Sequence, residues 1–123
     1  MDEKQFGQWV IDTFDLNIKL YLDNITVDEK GFKTSHATVS RGTENHNLTY
    51  TWGPAITEQP TPGDIAWSLI SDWVFYESDK DEAFQLVENA TQWEALRNEV
   101  RFIESAFTEK ERETIYDHFA DVE

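Results

Sequence analysis

The sequence predicts one α+β domain: a small antiparallel sheet of about three strands, followed by four amphipathic helices packed on one face of it. Its 123 residues, 39% of them apolar, suit a single hydrophobic core. Apolar residues recur with a period of two before the Pro- and Gly-containing segment 60–63 and with a helical period after it. We therefore expect the β-rich part at residues 14–53 and the helical part at residues 62–119 of a single domain 1–123.

Alternation of apolar and polar residues predicts the strands. It runs through residues 14–22 and again through residues 47–52, as in strands with one buried face. Segment 33–41 lies between them and is rich in β-branched residues but weakly apolar, which predicts an edge or half-exposed strand. A short helix over residues 2–13 is expected before the sheet.

Capping residues predict where the helices begin. Thr61, Pro62 and Asp64 place a hydroxyl at the N-cap, a proline at the first helical position and a carboxylate at the third, which predicts a helix over 62–75. Thr108 with Glu111 predicts the start of the last helix in the same way.

Two further helices are predicted between these. Ser78 is expected to cap a short helix that buries Phe84 and Val87, and Thr91 to cap a longer one with a continuous apolar face. The two tryptophans of the first long helix differ: Trp73 is expected in the core, and Trp67 as a partly covered neighbour of it. The expected core residues are Leu16, Ile18, Leu20, Leu69, Trp73, Leu96, Val100, Ile103 and Phe107.

Charge is the chief functional signal. The chain carries 25 acidic and 10 basic side chains, a net charge of −15, and residues 62–123 alone hold 16 acidic and 5 basic ones. One alternative is that these acids are only the solvated faces of amphipathic helices and keep the protein soluble. Against it, the solubility of a small domain requires only about 2 to 8 charges. A basic partner surface would neutralise the rest. The first candidates for its contacts are Asp79, Asp81, Glu82, Glu111, Glu113 and Asp117.

No catalytic, cofactor or metal motif stands out, so we expect neither an enzyme nor a cofactor. Cysteine is absent, which excludes disulfides, thiolate zinc sites and cysteine nucleophiles. His36, His46 and His118 lack the close spacing of zinc ligands. The acidic N-terminal segment does not resemble a signal peptide, and no apolar run approaches the ~20 residues of a membrane span. These features predict a cytoplasmic protein that does not contact membranes.

The segment from Pro60 to Asp72, PTPGDIAWSLISD, resembles a P-T-x-x-D-V-x-x-x-L-x-S-D segment in a family of small uncharacterised tailed-phage and prophage proteins. In that family a β-rich part precedes the segment, and an acidic aromatic stretch and two helices follow it; the likeness covers residues 14–119. This chain lacks the family's Phe-x-x-Trp/Phe-Cys and Gly-Tyr-Asp motifs. The resemblance implies a phage or prophage origin and no particular activity.

Together, charge and resemblance favour a non-enzymatic inhibitor that is anti-CRISPR-like or antirestriction-like. It would bind the basic cleft of a host nucleic-acid-binding protein or defence complex, as a DNA mimic or by blocking the surface. The chain itself is not expected to bind nucleic acid. The alternative is a phage accessory or assembly protein that acts through protein contacts without mimicry. A small hydrolase with a carboxylate pair is the third reading.

Overall fold

The computed structural model describes residues 1–122, which form five helices and one three-stranded sheet. This confirms the α+β class and the order of sheet before C-terminal helices. The elements in chain order are α1 (Glu3–Phe14), β1 (Asn17–Val27), β2 (Lys33–Arg41), β3 (Glu44–Trp52), α2 (Pro62–Ser78), α3 (Lys80–Leu86), α4 (Ala90–Ala106) and α5 (Glu109–Phe119).

The sheet is an antiparallel meander in the order β1-β2-β3, so β2 is its central strand. The prediction that segment 33–41 is an edge strand was wrong, whereas its alternative, a half-exposed strand, is confirmed because one face is buried and the other is intermediate or exposed. Ser35, Ala37 and Val39 are almost fully buried and face the helices. The segment reads as weakly apolar because small side chains occupy this inner face, while exposed residues such as His36 lie on the other face.

Local capping rules located two helix starts correctly and two approximately. Thr61 and Thr108 each form the expected capping box. Helix α2 continues through Ser78, however, so that Asp79 and not Ser78 caps α3. Asn89 and not Thr91 caps α4, because its side chain accepts a hydrogen bond from the Gln92 N–H.

The core lies between the inner face of the sheet and the helices. Of the nine expected members, six are buried, whereas Ile18, Leu20 and Leu96 are half-buried at its margin. Trp73 is buried, and Trp67 is half-buried against the Phe119 ring at 5.0 Å between centroids, both as expected. The prediction that the short helix buries Phe84 and Val87 was wrong. Helix α3 turns Ala83 inward and leaves Phe84 59% exposed and Val87 half-buried.

Helices α1 and α2 come closest to each other at two glycines, one on each helix. A Cβ added to Gly7 would lie 1.9 Å from the Gly63 carbonyl oxygen, and one added to Gly63 would lie 2.8 Å from the Lys4 carbonyl oxygen. No side chain fits at such distances. The two backbones touch here, and this contact fixes α1 against the start of α2.

The Arg41 side chain joins four elements at the end of β2. Its Nε donates to the Phe14 carbonyl at 2.7 Å, and Nη1 donates to the Ala106 carbonyl at 2.6 Å. Nη1 and Nη2 also bind the two oxygens of Glu111 at 2.8 and 2.7 Å. The guanidinium lies 4.8 Å from the Phe107 ring centroid. One side chain thus satisfies the ends of α1 and α4 and pairs with α5.

Replacing Arg41 with lysine should lower the free energy of unfolding by about 2 kcal/mol, because an ammonium group cannot reach four acceptors in a planar fork. Urea denaturation measures this. The matched control is Arg97→Lys on the exposed face of α4, which should change stability by less than about 0.5 kcal/mol. Equal effects of the two changes would contradict the role assigned to Arg41.

Candidate functional site

An acid-lined groove lies where α2, α4 and α5 meet. It has a volume of about 400 Å³, and Glu77, Glu104, Glu109 and Glu113 border it. All four side chains are exposed and come from three different helices. Arg112 is the one cation among the described residues that line it. The groove is therefore a concentrated patch of negative charge with room for a side chain of a partner.

The floor of this groove is aromatic. Trp73 and Tyr116 line it, with ring centroids 6.2 Å apart in an edge-to-face arrangement. Trp73 is 5% exposed, whereas Tyr116 is 42% exposed and offers its ring to solvent. A cation held by carboxylates above an aromatic face gains both ionic and cation–π stabilisation. This arrangement suits an arginine or lysine side chain.

The structure gathers only part of the predicted contact set. Glu113 lies in the groove, and Asp117 follows it one turn later on the exposed side of α5. Asp79, Asp81 and Glu82 are exposed at the start of α3, and the Asp79 carboxylate also accepts a hydrogen bond from the Glu82 N–H.

Glu111 has a different role from the one predicted. Both of its oxygens bind Arg41, and Oε1 also accepts from the Thr108 N–H at 2.8 Å. These hydrogen bonds from Arg41 and Thr108, with the Arg41 charge, lower the pKa of Glu111 to about 2. Its carboxylate is half-buried and already fully paired, so we remove it from the contact set.

Sequence reasoning did not select Glu77, Glu104 and Glu109 for the contact set. Their positions lie on three helices, and the sequence does not state which faces of different helices meet. One local signal was present: Glu109 and Glu113 are one turn apart on α5, with Tyr116 on the same side.

Two further carboxyl groups meet inside the molecule, between α2 and α4. Asp72 and Glu99 are half-buried and hydrogen-bonded to each other. Burial, and then the neighbouring carboxylate, raises the pKa of Glu99 far above its usual range; burial also raises the pKa of Asp72. Glu99 therefore holds the shared proton and donates it to Asp72. A convergent carboxyl pair of this kind is what the hypothesis of a small hydrolase requires.

An apolar patch surrounds α3. Phe75, Phe84 and Leu86 are 37%, 59% and 67% exposed, and they adjoin a groove of about 310 Å³ between α2, α3 and α4. The Phe84 ring packs edge-to-face on Trp93 at 5.1 Å between centroids. Exposed apolar surface with an acidic rim is typical of protein contact sites.

Within residues 1–122, no three His, Asp or Glu side chains are arranged to hold a metal ion. None of the described helices is both long and apolar enough to cross a lipid bilayer. The chain matches no protein-family model, no curated protein and no solved structure. The geometry of its own residues therefore carries the functional argument.

Glutamine at position 99 should stabilise the protein at alkaline pH. Because the folded-state pKa of Glu99 is raised to about 10, the native state binds this proton more tightly than the unfolded chain does. Stability should therefore fall as pH rises from about 4.5 towards 10, and Glu99→Gln, which keeps a donor for Asp72, should flatten that decline.

Thermal unfolding between pH 5 and 10 measures this effect, and Glu94→Gln, an exposed change on the same helix, is the control. If wild type and Glu99→Gln lose stability in parallel over this range, Glu99 does not hold the proton.

Proposed function

We propose that the chain is a phage-encoded, non-enzymatic inhibitor that acts in the cytoplasm of a bacterial host. Its acid-lined groove binds a basic, nucleic-acid-binding surface of a host defence protein, in the manner of an anti-CRISPR or antirestriction protein. The observation that supports this best is the convergence of Glu77, Glu104, Glu109 and Glu113 from three helices on one groove. Dispersed acids would have indicated a solubility function instead.

The mechanism follows from charge and shape. An arginine that normally grips a phosphate enters the groove, where carboxylates accept its N–H donors and Tyr116 packs on its planar face. The net charge of −15 raises the rate of encounter with a basic cleft. While the inhibitor occupies the cleft, nucleic acid is excluded. This amounts to mimicry of phosphates by carboxylates.

Acids outside the groove extend the same surface. Asp117 continues the row on α5, and Asp79, Asp81 and Glu82 follow directly after the end of α2, where Glu77 lies. These exposed side chains would meet the rim of a basic cleft, where each contact contributes little but steers association.

The alternative is an accessory or assembly protein that binds other phage subunits without mimicry. One specific observation favours it, namely the exposed apolar patch at Phe75, Phe84 and Leu86. Under that reading, Phe84→Ser with Leu86→Ser would abolish partner binding, whereas charge reversal in the groove would leave it nearly unchanged.

Reversing charge in the groove should relieve inhibition. The variant Glu77→Lys/Glu113→Lys should inhibit DNA cleavage about tenfold or more less potently than the wild type. The inhibitory potency of the wild type should itself fall as the salt concentration rises. The assay is DNA cleavage by a panel of purified restriction endonucleases and CRISPR effector complexes, titrated with inhibitor.

The control variant Asp23→Lys/Glu29→Lys changes net charge equally at exposed sites in the β-rich half. It should retain potency. Equal losses in both variants would indicate bulk charge and not the groove. Undiminished potency of the groove variant would make its acids a solubility device, and the accessory reading would replace this proposal.

The protein itself should have no measurable affinity for DNA or RNA near physiological salt, because its surface repels phosphates. Arg41, one of the few cations in the β-rich half, is already occupied by Glu111 and two carbonyl groups. Fluorescence anisotropy with labelled duplex and single-stranded oligonucleotides at about 0.15 M salt tests this. Tight binding would contradict the proposal that the chain competes with nucleic acid for the same partner.

A further inference from the structure

Strand β3 has one free edge. It is paired with β2 on one side through nine consecutive residue pairs, from Arg41–Glu44 to Lys33–Trp52, without a register shift. No described strand lies on its other side. Its backbone N–H and C=O groups on that side are therefore not used by the sheet.

The two edges of the sheet differ in protection. Strand β1, at the opposite edge, carries Lys19 and an irregularity in its pairing between Tyr21 and Thr26. Strand β3 contains neither lysine nor proline, and its pairing is regular throughout. A long, regular and unprotected edge is a template for another strand.

A groove follows this free edge. Two adjoining cavities of about 540 and 410 Å³ lie between β3 and α4, and both are lined by His46, Asn47 and Asn98. His46 is on the inner face of the sheet and Asn47 on the outer face. The smaller cavity is lined by the consecutive residues 44–47, which lie alternately on both faces, so it opens at the edge of the strand. The larger cavity also reaches His36, Ala37 and Thr38 of β2 and therefore extends over the inner face of the sheet.

The walls of the groove suit a peptide backbone. Asn47 supplies a carboxamide donor and acceptor, whereas the Asn45 Nδ2 already donates to the Thr43 carbonyl and the Asn98 Oδ1 accepts from Arg101, which also lines the groove. Within residues 1–122, His46 Nε2 is buried without a hydrogen-bond partner, and burial lowers the pKa of this imidazole, so it stays neutral. The wall formed by α4 also includes the exposed Ala95, which offers a small apolar surface to a side chain of an added strand, whereas Phe102 is only 4% exposed and its ring stacks on His46.

We infer that an extended segment of another protein adds to β3 as a fourth strand and lies in the groove between β3 and α4. The occupant is a neutral or basic segment, because the chain that receives it has a net charge of −15. The same charge disfavours a second copy of this chain, which would bring an equal net charge of −15. This site is separate from the acid-lined groove and does not depend on the proposed function.

A synthetic nonapeptide tests the inference, with threonine and valine in alternation and a lysine at each end, so that its length equals that of β3. It should bind the full chain and slow amide hydrogen exchange within residues 44–49. The comparison peptide has proline in place of each valine but the same charge. The proline peptide should bind at least about tenfold more weakly, because proline has no backbone N–H to donate to a hydrogen bond between strands.

Two tryptophan variants locate the site. Asn98→Trp places a bulky side chain in the groove and should weaken binding of the nonapeptide about tenfold or more. Arg97→Trp, at the neighbouring exposed position that does not line the groove, should bind as the wild type does. The Glu77→Lys/Glu113→Lys variant should also bind normally, which separates this site from the acid-lined groove.

Three results would overturn the inference. They are equal binding of the valine and proline peptides, protection confined to β1, and a wild-type dimer in sedimentation analysis that Asn98→Trp dissociates. The last result would identify a second copy of the chain as the occupant.

Discussion

The arrangement of this domain depends on the Arg41 guanidinium. It lies at the end of the central strand, where α1 ends, α4 ends and α5 begins. The carbonyls of Phe14 and Ala106 are left without helical partners at these ends, and Arg41 donates to both while pairing with Glu111. Both side chains are about 25% exposed, so the pair is only partly shielded from solvent. It fixes α5 against the sheet, and with α5 one wall of the acid-lined groove.

The acids of this chain divide into those that the fold uses and those that it leaves free. Asp64 and Glu111 complete capping boxes, and Asp72 with Glu99 shares a proton between two helices. Glu77, Glu104, Glu109 and Glu113 have no such internal role and converge on one groove. Their mutual repulsion costs stability that a bound cation would restore. The positions of the unpaired acidic side chains therefore indicate a binding surface more clearly than the net charge of the chain does.

Three surfaces differ in chemistry: the acid-lined groove, the apolar patch around α3 and the free edge of β3. The grooves beside the last two adjoin, because Ala95 and Glu99 line both. Each surface suits a different kind of contact, by ion pairs, by apolar burial and by backbone hydrogen bonds respectively. Small proteins that bind one large partner commonly need more than a single such contact, because a standard interface buries about 800 Å² on each side. The free edge and the acid-lined groove are testable independently, since no residue lines both.

The features that follow from neighbouring residues were predictable from the sequence. Alternation located β1 and β3, although β1 begins at Asn17 and not at residue 14, because Phe14 ends α1. Thr61 and Thr108 located two helix starts, and the step of three and four residues placed Val100, Ile103 and Phe107 in the core. These succeed because capping and amphipathic spacing act within a few residues. The sequence also established the acidic excess of the helical half.

Contacts between residues that are distant in the chain follow from tertiary packing and were not predictable. Arg41 and Glu111 are 70 residues apart, so the sequence predicted the capping role of Glu111 but not its ion pair with Arg41. The central position of β2 depends on its pairing with both neighbours, and its small inner residues gave no local sign of it. The acid-lined groove and the Asp72–Glu99 pair arise from the packing of separate helices, whose relative rotation is set by core contacts that no local pattern encodes.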